Sequence, residues 1–148
     1  MSDILFVGVG NRWRRDDGVG PVVAQALAGQ GARAMEHGAD GAGLIELFAT
    51  APAVVLIDAT RSGAAPGTVQ QFDAAAGPLQ ADLFHYSTHR FGLAEAVETA
   101  RALGDLPARL VVWGIEGADF GPGEGLSASV DMAARALVTR LKEEMGPW

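Results

Sequence analysis

Ile4-Leu5-Phe6-Val7-Gly8-Val9 and Ala53-Val54-Val55-Leu56-Ile57 are unbroken apolar runs rich in β-formers, and Leu110-Val111-Val112-Trp113-Gly114-Ile115 repeats the pattern. A strand with one solvated face alternates apolar and polar positions, so runs without alternation predict strands covered on both faces. Between them the period changes. A helix is predicted from Pro21 to Leu27, where proline is tolerated in the first turn. Leu44, Ile45, Leu47 and Phe48 share one helical face, as do Leu93, Ala96, Val97 and Ala100 within 91–103. In a last helix capped by Ser127, Val130, Ala134, Leu137, Val138 and Leu141 form a single stripe. Ala32 to His37 reads as a further strand, and Pro66-Gly67 turns the chain into Thr68 to Phe72, an antiparallel or edge strand.

Strands alternating with helices predict an α/β fold: one domain over 1–148, with a mainly parallel, twisted sheet between two helical layers. Ligands in such folds lie beyond the carboxyl ends of the strands. The loops after Val9, Ile57 and Ile115 are therefore where chemistry is expected.

Composition narrows the possibilities. A chain of 148 residues suits one continuous core. The net charge of −7 removes the electrostatic drive for binding nucleic acid or an anionic membrane. The absence of cysteine excludes disulfides, thiolate metal sites and thiol nucleophiles. No apolar stretch approaches the roughly 20 residues needed to span a bilayer, and Met1 leads directly into the first strand without a secretory pattern. A cytoplasmic location is expected.

Gly8-Val9-Gly10-Asn11 after the first strand invites a dinucleotide-binding reading, but Trp13 occupies the third glycine position of that fingerprint. More promising are Asp16-Asp17-Gly18 in the first loop, Asp58 at the end of a buried strand, and His89 just before a helix. Two carboxylates and an imidazole suit a divalent metal of the nickel or zinc kind. On residue types alone the other reading stands beside it: Asp17 and Asp58 cap turns and His89 packs as a hydrogen-bonded partner.

A resemblance separates the two. Ile4 to Asn11 followed by Asp16-Asp17-Gly18-Val19-Gly20 resembles the N-terminal signature of the hydrogenase maturation endopeptidases. Leu56-Ile57-Asp58-Ala59 is similar to that family's second motif, Pro66-Gly67-Thr68 follows it, and Ser87-Thr88-His89-Arg90-Phe91-Gly92-Leu93 resembles its histidine motif. Gly114-Ile115-Glu116 and Gly125-Leu126-Ser127 are similar to its closing segments. The resemblance implies a protease that removes the C-terminal extension of a hydrogenase large-subunit precursor. It carries over Asp17, Asp58 and His89 as metal-gripping and catalytic residues, with Asp16 as the neighbour whose role is open. The nickel it implies is supplied by the precursor. A noncatalytic nickel-dependent assembly factor and a small nucleotide-binding domain are the rival readings.

The chain also departs from the family pattern. Glu36-His37-Gly38-Ala39-Asp40-Gly41 stands where relatives carry an Asp-Gly-Gly-Thr type of turn; His37 or Asp40 either replaces the usual acidic group near the cleft or completes a turn, and turn chemistry is the preferred reading. Arg12-Trp13-Arg14-Arg15 puts charge and bulk where relatives carry aliphatic or small residues. It reads either as a partner-binding loop or as a solvated loop whose arginines balance Asp16 and Asp17. Glu116 reads as a structural hydrogen-bonding group and Ser87 as a helix cap.

Overall fold

The three uninterrupted apolar runs form the centre of a five-stranded sheet. In the computed structural model, which describes residues 3–38, 40–79 and 92–148, the strands are β1 (Ile4–Val9), β2 (Ala34–His37), β3 (Ala53–Thr60), β4 (Val69–Asp73) and β5 (Arg109–Glu116). Their spatial order is β2-β1-β3-β5-β4. All neighbours are parallel except β4, which runs antiparallel to β5 at the edge. The expected edge strand is thus present. β1, β3 and β5 are buried almost throughout, whereas β2 and β4 are half exposed, which is why only the inner three lack alternation.

Among the described residues four helices cover the sheet: α1 (Val19–Gly29), α2 (Gly41–Phe48), α3 (Leu93–Leu103) and α4 (Ala128–Met145). Successive strand residues point to opposite faces, so each strand feeds two cores. Phe6, Val55, Ile57, Val111, Trp113 and Ile115 pack with α1 and α4. Leu5, Val7, Val9, Val54, Leu56 and Val112 pack with α2 and α3. The predicted α4 stripe is the set of residues buried on that helix. α1 begins two residues before Pro21 because its first turn wraps onto the strand ends, and β2 begins at Ala34 rather than Ala32. Beyond α4, Trp148 returns to the sheet, its ring edge-on to Phe6 at 5.6 Å and its indole N–H donating to the Gln30 carbonyl at 3.0 Å. No helix among the described residues is long and apolar enough to cross a membrane.

The chain leaving β1 is pressed against the sheet through glycine. A Cβ on Gly20 would lie 2.4 Å from the Ile57 carbonyl oxygen and 2.5 Å from that of Val9. One on Gly8 would lie 2.0 Å from the Gly20 oxygen. The first turn of α1 therefore sits directly on the ends of β1 and β3. That accounts for the Gly8, Gly10 and Gly20 pattern by backbone packing, with no pyrophosphate required.

Gly20→Ala is expected to lower stability by roughly 3 kcal/mol because the backbone on both sides must move. Gly29→Ala, at the last helical position with nothing within 4 Å of the added carbon, is expected to raise it by about 0.5–1 kcal/mol. Urea unfolding followed by circular dichroism checks both; equal effects would contradict the packing described.

Candidate active site

β1 is flanked by β2 on one side and β3 on the other, so the chain leaves the ends of β1 and β3 in opposite directions. A crevice opens between them, at the topological switch point where doubly wound folds bind ligands. Both sequence-predicted aspartates of the described residues are there. Asp17 lies in a 3₁₀ turn, Arg15–Gly18, leading into α1. Its Oδ2 accepts the Asn11 N–H at 2.9 Å, which folds the loop back onto the end of β1. Asp58 follows Ile57, the register partner of Gly8. It lies on the α2–α3 face, in the alternation set of Val54 and Leu56.

The two carboxylates are 6% and 7% exposed, respectively. Burial pushes the Asp58 carboxyl well above the usual range, and the negative charge of Asp17 pushes it further in the same direction; the N–H of Ala59, 2.7 Å from its Oδ1, acts against them. A buried pair of like charges is unfavourable on its own. A divalent cation between them would convert the repulsion into attraction, so the donor chemistry fits a hard-to-borderline metal. Among the described residues no three ionisable ligands gather into a complete metal site. The third expected ligand, His89, lies with His85, Tyr86 and Ser87 in the segment 80–91, outside the described residues. α3, which begins four positions after His89, packs on the face that carries Asp58.

Asp16 has a different task. Its Oδ2 accepts the N–H groups of Ala118 at 2.8 Å and Asp119 at 2.9 Å and the Ser127 hydroxyl at 2.8 Å, while Oδ1 accepts the Ser127 N–H at 2.7 Å. Burial would raise its pKa, but these bonds outweigh it and hold the carboxyl below the usual range. Asp16 therefore straps the loop after β5 and the start of α4 to the site. Ser127 does occupy the cap position of α4, as expected, yet its hydroxyl serves Asp16 instead of the helix.

Glu116 is a second strap. It accepts the Thr60 hydroxyl at 2.8 Å, the Ser62 hydroxyl at 2.8 Å, and the N–H groups of Ser62 and Gly63, so it shapes the turn after Asp58. The structural reading of Glu116 is correct. The turn reading of the 36–41 segment also holds for its described residues: Asp40 caps α2 through the Ala42 N–H at 3.2 Å, and the His37 Nδ1 meets the Gly38 carbonyl. Two of the arginines in the loop after β1 have partners elsewhere. Arg12 pairs with Glu36 at 2.5 Å and Arg15 donates to the Glu124 carbonyl at 3.3 Å. Sequence reasoning did not find Glu36 as that partner, because β2 and the loop after β1 meet only through strand register.

These features define a doubly wound α/β protein with an acidic pair at its switch point. The model of the hydrogenase maturation protease family matches residues 23–144, which include Asp58 and begin beyond Asp17. The chain belongs to that family, and it is an enzyme of the protease class. It is similar to the NiFe hydrogenase maturation protease HybD from Thermococcus kodakarensis, with a TM-score of 0.78 and 27% identity over 96% of this chain and 98% of that one. The hydrogenase maturating endopeptidase HybD from E. coli shares the fold, with a TM-score of 0.73 at 23% identity over 97% and 94% of the two chains. The hydrogenase expression/formation protein HupD of Thiocapsa roseopersicina is 27% identical over 149 positions, 91% of this chain and 67% of HupD.

Removing the Asp16 carboxylate leaves the main-chain N–H groups of Ala118, Asp119 and Ser127 without their acceptor. Asp16→Ala is expected to cost about 3 kcal/mol, lowering Tm by roughly 6–12 °C, with Asp16→Asn intermediate. Differential scanning calorimetry checks this, and an unchanged Tm would show that the strap contributes nothing.

Proposed function

We propose that this protease removes the C-terminal extension of a hydrogenase large-subunit precursor after nickel has been inserted. Asp17, Asp58 and His89 grip the precursor's nickel. The observation that carries the reading is the burial of Asp17 and Asp58 within each other's field at the carboxyl ends of β1 and β3. With Asp58 pushed toward its protonated form, a divalent cation would displace that proton and draw both carboxylates onto itself, which favours a metal-loaded precursor over an empty one. The metal is part of the substrate in this scheme. Once held there, it can polarise the scissile carbonyl or a bound water.

The chain supplies the surroundings of that step. The Asn11 N–H orients Asp17 and the Ala59 N–H orients Asp58. Asp16 and Glu116 spend their oxygens on donors from neighbouring loops and so shape the walls around Asp17 and Asp58. The shared fold and the family membership support proteolysis over an assembly factor without chemistry.

Nickel-loaded and nickel-free precursor, incubated with the protein and weighed by mass spectrometry, test the reading. Loss of a C-terminal peptide only from the loaded precursor is expected, and Asp17→Asn or Asp58→Asn should slow it at least about 100-fold. Equal cleavage of both precursor forms would refute nickel recognition, and a stable complex without mass change would favour the assembly factor.

A further inference from the structure

Among the described residues the most exposed aromatic side chain belongs to the loop that delivers Asp17. Trp13 is 60% exposed, on a chain whose other tryptophan in the sheet, Trp113, is fully buried. Leaving a large indole in water at a loop tip is unfavourable unless something covers it, and tryptophan is the residue type most enriched where binding energy concentrates. Three of the chain's eleven cationic side chains, Arg12, Arg14 and Arg15, fall within four positions around it. Two of them are engaged, Arg12 with Glu36 and Arg15 with the Glu124 carbonyl. Arg14 is exposed and has no ion pair or hydrogen bond through its guanidinium among the described residues.

The loop is held in shape. The Trp13 N–H donates to Asn11 Oδ1 at 2.9 Å, the Trp13 carbonyl accepts the Gly123 N–H at 2.8 Å, and the Arg15 N–H donates to the Gly123 carbonyl at 2.8 Å. Arg15 adopts a left-handed backbone with φ 49°, uncommon for a residue with a side chain, and the bonds on either side hold it there. Asn11 joins this loop to the site, since its N–H binds Asp17 while its side chain binds Trp13. Trp13 and Arg14 are therefore presented at a set position close to the acidic pair, with little ordering left to do on binding.

We propose that Trp13 and Arg14 form a docking surface for an acidic stretch of the precursor polypeptide next to its metal site. The inference rests on the function proposed above. Charge selects the occupant: the chain as a whole carries −7 and repels an acidic partner, so attraction confined to this loop orients that partner with its metal over Asp17 and Asp58. Trp13 contributes apolar contact, and Arg14 pairs with a carboxylate that would otherwise meet repulsion.

The test measures binding and cleavage separately. Binding of wild type, Trp13→Ala, Arg14→Glu and Arg14→Lys to immobilised nickel-loaded precursor is followed by interferometry, and kcat and KM are followed by mass spectrometry, with calorimetry to check folding. Trp13→Ala and Arg14→Glu are expected to weaken binding and raise KM by roughly tenfold, with kcat within about twofold and Arg14→Lys close to wild type. The loss should shrink as salt rises for Arg14→Glu and persist for Trp13→Ala. Unchanged binding by both variants overturns the docking surface, as does a change of oligomeric state in Trp13→Ala, which would assign the loop to self-association. Wild-type binding without cleavage, still weakened by the variants, would refute the proposed proteolysis and leave the docking surface standing.

Discussion

The architecture depends on one close approach, that of the first turn of α1 to the carboxyl ends of β1 and β3. Three glycines permit it, because backbone there meets backbone at distances no Cβ would tolerate. Everything at the site follows from this constraint. With the chain pinned at Gly20, the 3₁₀ turn before it has to lie over the end of β3, and the carboxylate of Asp17 has to lie in the field of Asp58. The fold thus holds together two carboxyls that would separate if the loop were free.

Holding such a pair requires other groups to absorb the remaining polar demands of the region. Asp16 and Glu116 do so. Each is a buried carboxylate that accepts several donors from a loop following a strand, Asp16 from the β5–α4 loop and Glu116 from the turn after β3. Four acidic groups at one end of a sheet therefore divide into two that organise loops and two that face one another. Asp16 and Glu116 each accept four N–H and O–H donors, and that supply stabilises them in place as loop organisers. In the proposed function, the rigid scaffold keeps Asp17 and Asp58 together for the metal, and the exposed Trp13 loop extends that scaffold toward the partner.

Much of the fold was legible in the sequence. Unbroken apolar runs located the central strands, β1 to the residue, because burial on both faces removes the alternation that edge strands show. The single stripe of α4 predicted its buried face in full, since helix period and burial are the same fact in a helix packed on one side. The placement of Asp17 and Asp58 at the strand ends was legible too, from chain order and the switch-point rule. The division between Asp16 and Asp17 was not, because neighbouring identical residues carry no local signal of which one turns toward the β5–α4 loop 102 to 111 positions away.

The amino-acid order by itself determined the α/β class, the sequence of elements and the glycines at the crowded turn, which depend on local period and composition, and its motifs carried the resemblance to the family. Tertiary structure alone decided which carboxylates organise loops, that the Ser127 hydroxyl leaves its helix for Asp16, and that Arg12 pairs with Glu36 across the sheet instead of with its own loop. These choices depend on strand register and on donors brought from distant segments, and the distance between two side chains in space is not written in their separation along the chain.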